Sequence, residues 1–261
     1  MTTIECIIDL CCRVDTEMHD VPKHPHATLY PSELVTLAVV CARNGVGPRP
    51  FDRWLTRDYR ALFPKLPERT RLFRLFATHR AWADYFLANP TTLGVADSYG
   101  IESIHPMREG RSPRQIGRKG QSNQRWIVGV KLAYLVNQWG LIVAWDGAPA
   151  NVYDAVFHPL IADFQDEMVV LTDMGFYAKT GDPPNMQPCK RNTWNGRMVV
   201  ETVLAMLTHV CYLKKVSQRS WPYLLARLSF TMAVFNVLTQ WHGVSIDDTG
   251  TVQLSIAQFN L

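Results

Sequence analysis

Apolar residues recur every three or four positions through the first ninety residues, and then give way to short continuous apolar runs bounded by polar turns. The first pattern predicts helices. "IECIIDLCCRV" has helical apolar spacing, and "YPSELVTLAVVCARNG" opens on Pro31 and Ser32 and stops at Asn44-Gly45, which is how helices begin and end. "PFDRWLTRDYRALF" again keeps its apolar residues to one face. "PKLPERTRLFRLFATHRAWADYFLANP" predicts one longer helix ending near Asn89-Pro90, with Arg69, Arg71, Arg74 and Arg80 set among Leu72, Phe73, Leu75 and Phe76.

Beyond Pro90 the period changes. "TLGVADS" reads as a short strand ending in Asp97, and "RWIVGVKLAYLVN" and "QWGLIVAWDG" as two strands joined by a turn at Asn137 to Gly140. "PANVYDAVFHPLIADF" then predicts a helix, "EMVVLTD" a buried strand ending in Asp173, and "NMQPCKR" a last strand. In "NTWNGRMVVETVLAMLTHVCYLKK" a helical projection puts Val199, Val203, Met206, Leu207 and Val210 on one face. Trp194, Arg197, Glu201, Thr208, Tyr212 and Lys215 fall on the other. The layout predicts a mixed α/β fold. It divides into a helical, DNA-binding region over residues 1–90, an α/β domain over 91–242 and a C-terminal tail over 243–261.

A chain of 261 residues with 47% hydrophobic content is large enough for a substantial core. The run from Pro222 to Leu238 is interrupted by Arg227, and the N-terminal stretch carries Glu5 and Asp9. Neither reads as a membrane span or a secretory signal, so a cytoplasmic protein without a membrane partner is expected. The six cysteines form no CxxC pair, and Cys11, Cys12, His19, His24 and His26 lack the spacing of a zinc finger.

Charge adds a partner. The net charge of +4 conceals segregation: residues 43–131 hold seventeen of the 27 Lys and Arg but seven of the 23 Asp and Glu. Such an imbalance points to a polyanion. The helix bearing Arg69, Arg71 and Arg74 follows a turn, as a DNA-reading helix does, although an amphipathic helix with a solvated basic face shows the same pattern. The segment "HPMREGRSPRQIGRKGQSNQR" carries Arg108, Arg111, Arg114, Arg118, Lys119 and Arg125 against one acid, Glu109, and is expected to stay mobile until a phosphate backbone orders it.

Candidate chemistry lies in the carboxylates. Alternation puts Asp97 on the face of Leu93 and Val95, and Asp173 on the face of Val169 and Leu171. Were the two strands parallel neighbours, both carboxylates would emerge side by side, where open α/β sheets place their sites. Their repulsion is relieved by a divalent cation, and oxygen-only ligands select Mg²⁺ or Mn²⁺. On its helix alone Glu201 has two readings: a surface ion pair with Arg197 at i−4, or a third metal ligand. Asp146 reads as a turn residue and Asp154 as a brace of its helix.

The order strand-Asp, antiparallel hairpin, helix, strand-Asp, helix-Glu resembles the ribonuclease-H-like core of DDE-type bacterial insertion-sequence transposases. "FPKLPERTRLFR", "VADS", "GVKLAYLVNQWGLIVAWDGAPANVYD", "VLTDMGFYAK" and "WNGRMVVETVLAML" look like the successive blocks of that family, over about residues 28 to 240. Its last block runs tyrosine, arginine three positions on, glutamate four later and lysine seven later. Arg197 and Glu201 match; Trp194 replaces the tyrosine and Thr208 the lysine, with Lys214 and Lys215 further along.

The resemblance implies two Mg²⁺ or Mn²⁺ ions, with Asp97 bridging both, Asp173 and Glu201 holding one each, and Arg197 orienting Glu201 or facing phosphate. It implies cleavage at transposon ends and strand transfer into target DNA by a chain that forms a homo-oligomer on DNA. The alternatives are an inactive or domesticated DNA-binding derivative, and a ribonuclease-H-like nuclease that only hydrolyses.

Overall fold

The computed structural model describes residues 2–113, 115–122, 125–189, 197–214, 216–246 and 252–254. Four helices come first: α1 (Thr3–Glu17), α2 (Pro31–Asn44), α3 (Pro48–Asp58) and α4 (Arg69–Thr78). Their ends follow the local chemistry. Thr2 and Glu5 form a capping box on α1, and α2 has Pro31 in its first turn and a left-handed Gly45 at φ 64° after its last residue. Glu68 caps α4 by accepting from the Thr70 amide.

A mixed sheet follows, built from β1 (Leu93–Ile104), β2 (Arg118–Ser122), β3 (Arg125–Asn137), β4 (Ile142–Pro149), β5 (Val169–Thr172) and β6 (Met186–Pro188), with α5 (His158–Ala162) between β4 and β5. The order is β2-β3-β1-β5-β6, and β4 also pairs with β3. Strand β3 is long enough to take β2 along residues 125–129 and β4 along 130–136 on one side, with β1 antiparallel on the other. Strands β1, β5 and β6 run parallel. Then come α6 (Arg197–His209), α7 (Trp221–His242) and a two-stranded ribbon, β7 (Ser245–Ile246) with β8 (Val252–Gln253).

The sheet's two faces bury different partners. Val95, Ile101, Val130, Leu132, Tyr134 and Val136 join one apolar cluster with α1, α2, α4, α6 and α7, while Ala96, Ala133, Leu135 and Val170 pack with Phe157, Ile161 and Phe176 on the other. Helix α7 is apolar on all sides because it is the centre of the first cluster. It has the length and hydropathy of a membrane span, yet 78% of that window is buried inside the protein. Its buried Asn236 accepts from the Ile142 amide at 2.8 Å and donates to the Phe86 and Ile142 carbonyls at 2.9 and 2.7 Å, fixing α7 to β4. An amide can be buried there because each of its groups is satisfied.

Several expectations are corrected. The long helix over residues 65–89 stops at Thr78 and resumes as a 3-10 segment, Arg80–Phe86, which packs Ala83 and Phe86 into the core. The segment after Asn151 holds a 3-10 turn, Asp154–Phe157, and a five-residue α5 restarted by Pro159 in its first turn. The strand read as ending at Asp97 continues to Ile104, since β3 is long enough to pair it throughout. The basic segment expected to be mobile contains β2, held by β3. Asp146 lies within β4 opposite Ala133 rather than in a turn. The turn at Asn137 to Gly140 stands as read, with Gly140 at φ 75°.

Candidate functional site

Parallel pairing of β1 with β5 matches Leu93 to Val169, Gly94 to Val170 and Val95 to Leu171. Asp97 lies two residues beyond the last β1 position paired with β5, and Asp173 two residues beyond the last β5 position so paired. Strand β5 ends at Thr172, so Asp173 follows its tip, while β1 runs on through Asp97 to Ile104. Both residues are half-buried. Asp97 Oδ1 accepts from the Ser98 amide at 2.8 Å, and Asp173 Oδ1 accepts from the Gly175 amide at 2.9 Å.

Three more polar residues meet at the same tip. Ser98 Oγ donates to Asp154 Oδ1 at 2.7 Å, and Lys131 Nζ lies 3.0 Å from that same oxygen. Lys131 also donates to the Val152 carbonyl at 2.8 Å. The side chains of Lys131 and Asp154 are 12% and 19% exposed, so this is a largely desolvated pair. It ties β1, β3 and the 3-10 turn together one residue from Asp97. Asp154 does brace the fold, but across to the sheet rather than along its own helix.

Gly175 closes the group. A Cβ there would lie 2.9 Å from Asp154 Oδ2 and 3.0 Å from Asp173 Oδ1, so both carboxylates crowd one point that only glycine leaves open. The signal for Lys131 was present in the sequence, as the one charge inside the apolar run "IVGVKLAYLV". Its partner was not, because it depends on strand register.

Glu201 approaches from a separate element. Val200, Val203, Met206 and Leu207 bury one face of α6, and Tyr134, in register with Asp97 on β3, donates its hydroxyl to the Val200 carbonyl at 3.4 Å. Helix α6 thus starts over the sheet face that carries Tyr134, with Glu201 exposed. The side chain of Arg197, and Trp194, lie outside the described residues. Thr208 donates its hydroxyl to the Leu204 and Ala205 carbonyls at 2.9 and 3.0 Å, so it is spent within the helix. Among the described residues no three His, Cys, Asp or Glu side chains converge closely enough to hold a metal ion. The donor set suits a hard divalent cation in its two aspartates.

Most of the basic residues are exposed. Arg71, Arg74, Arg108, Arg111, Arg118, Lys119, Arg125 and Lys214 are exposed and Arg69 half-buried, while Arg114 and Lys215 lie outside the described residues. On the β2–β3 hairpin the exposed Trp126 ring has Lys119 Nζ 5.4 Å from its centroid, and Arg125 pairs with Glu102 at 2.9 Å. An exposed ring flanked by cations is a surface on which a nucleobase can stack. Comparison with protein-family models, curated protein sequences and solved structures found no match.

Proposed function

We propose that the chain is a DDE-type transposase with a ribonuclease-H-like core, which cleaves DNA strands at the ends of an insertion element and joins them to a target. The observation that supports this reading is the parallel pairing of β1 with β5 through Val95 and Leu171, with Asp97 and Asp173 each two residues beyond it. An open α/β sheet places a reactive site at its strand tips. Asp97, Asp173 and Glu201 would hold Mg²⁺ or Mn²⁺, Glu201 being brought to the aspartates by α6 on engaged DNA. The chemistry such ions supply when bound is a lowered pKa for the attacking water or 3′-hydroxyl and stabilisation of the leaving oxygen.

The chain's own residues have separate tasks. Asp97 and Asp173 supply hard oxygen donors at fixed backbone positions. The Lys131–Asp154–Ser98 linkage holds β1 and β3 in place beside Asp97, and its ammonium offsets one of the crowded carboxylates. The exposed arginines on α4 and between β1 and β3 hold the phosphate backbone.

The test is to incubate the purified chain with labelled duplexes ending in candidate terminal repeats, a target plasmid and Mg²⁺. Cleaved and plasmid-joined strands are expected. Cleavage without joining selects a nuclease that only hydrolyses. Binding without either product selects a non-catalytic derivative.

A further inference from the structure

A cleft of about 880 Å³ opens where the end of β1, the Pro106–Arg108 turn and the segment leading into α7 meet. Its lining includes Ser103, His105, Arg108, Arg111, Arg219 and Arg227, and no Asp or Glu. Arg108, Arg111 and Arg219 are exposed, so their side chains can turn inward without unfolding anything. Arg227 forms the floor. It donates to the carbonyls of Cys41 at 3.0 Å, of Cys211 at 2.7 Å, and of Ala42. These partners satisfy its donors while leaving its charge without a carboxylate in the described contacts.

One hydroxyl on the lining has no hydrogen-bond partner: Ser103, 9% exposed, has its Oγ unpaired, whereas the unpaired Oε1 of Gln218 is an acceptor that cannot bind an anion. A hydroxyl this buried and unsatisfied costs about 1–3 kcal/mol unless a ligand takes it up. A concave, low-dielectric site with positive charge and no acid focuses its field on an anion.

We propose that this cleft is a phosphate site that holds the DNA backbone, with Arg108, Arg111 and Arg219 facing phosphate oxygens and the Ser103 hydroxyl donating to one. Arg219, Ser103 and the floor at Arg227 extend the surface beyond the basic stretch that ends at Lys131. The assignment rests on the DNA-processing reading above and gives it a ruler. Ser103 lies six residues beyond Asp97 on β1, about 20 Å along the strand. At about 3.4 Å per nucleotide, the held phosphates lie about six positions from the bond placed at the carboxylates.

The test is fluorescence anisotropy of a labelled duplex oligonucleotide with the full chain in EDTA, so that metal-dependent cleavage has no bearing on the signal. Arg219→Gln and Arg108→Gln/Arg111→Gln are each expected to weaken binding about three- to tenfold per arginine and to reduce the salt slope by about one per arginine. Ser103→Ala is expected to weaken binding with the slope unchanged. Thermal unfolding of each variant, with a wild-type midpoint, shows that the fold is kept. Wild-type affinity and slope in Arg219→Gln would overturn the site. A second arm adds adenosine monophosphate at equal phosphate concentration, and no displacement of the duplex is expected. Displacement that depends on Arg219 would assign the cleft to free nucleotide and overturn the backbone site. Failure of strand cleavage with Arg219-dependent binding intact would remove the transposase reading and leave this site standing.

Discussion

At the scale of single residues, the Lys131–Asp154 pair is the most informative contact. Both side chains are largely withdrawn from water, so removing one leaves the other without its counter-charge. Lys131→Met is therefore expected to cost about 3 kcal/mol, measured by urea unfolding at neutral pH. An unchanged midpoint would mean that Asp154 reaches solvent. Asp97→Asn is expected to leave the unfolding midpoint close to wild type, because the carboxamide can still accept from the Ser98 amide at the same place.

Gly175→Ala tests the crowding between Asp154 and Asp173. Its Cβ would force the two carboxylates apart, and a ligand displaced by about 1 Å costs on the order of a hundredfold in rate. Strand cleavage by Gly175→Ala should fall on that scale while DNA binding is kept. The aspartates could be singled out in the sequence because each follows an apolar run. The roles of Ser98, Lys131 and Gly175 could not, since they arise only when β1, β3 and two loops are brought into register.

At the scale of elements, α2, α7 and the segment just after α6 are joined through Arg227, whose guanidinium meets the carbonyls of Cys41, Ala42 and Cys211. The two cysteines beside it are buried, and burial pushes both thiols up to about 12, with the positive charge of Arg227 acting in the opposite sense. The folded protein thus keeps them neutral where an unfolded chain would ionise them near pH 9. That contribution to stability is complete below about pH 9 and is lost as pH rises toward 12. The urea midpoint is predicted to fall as pH increases above 9, and Cys41→Ala/Cys211→Ala to flatten that fall. Parallel curves for the two proteins would place the alkaline sensitivity elsewhere.

Helix and strand identity was readable wherever a period ran uninterrupted, as in α2, β3 and α6. It failed where tertiary packing overrode local propensity. Residues 80–86 have helical spacing, yet Phe86 is drawn out of the helix to meet Asn236 of α7. The basic stretch after Ile104 looks like an open loop, yet β2 gains a ladder with β3 that its composition does not announce.

At the scale of the molecule, positive charge and the carboxylates are separated but joined by one sheet. Strand β1 carries Asp97 near its start and Ser103 at the arginine cleft near its end, and the exposed Trp126 and Lys119 lie on the adjoining hairpin. On the proposed reading, a bound duplex would meet the phosphate contacts and the carboxylates together. Salt should therefore weaken binding steeply, with a slope that rises with the number of phosphates contacted. Neutralising Arg108, Arg111 and Arg118 together should flatten the slope by about three.

The central proposal is that Asp97, Asp173 and Glu201 come together on engaged DNA as one divalent-cation site that cuts it. Its most direct measurement is Mg²⁺-dependent nicking of duplex DNA by the wild-type chain, Asp97→Asn, Asp173→Asn and Glu201→Gln, with DNA affinity in EDTA recorded on the same preparations. Nicking by the wild type alone, with all four proteins binding DNA equally, is the predicted result. Nicking by Glu201→Gln at the wild-type rate would return Glu201 to a surface charge on α6 and contradict the three-carboxylate site.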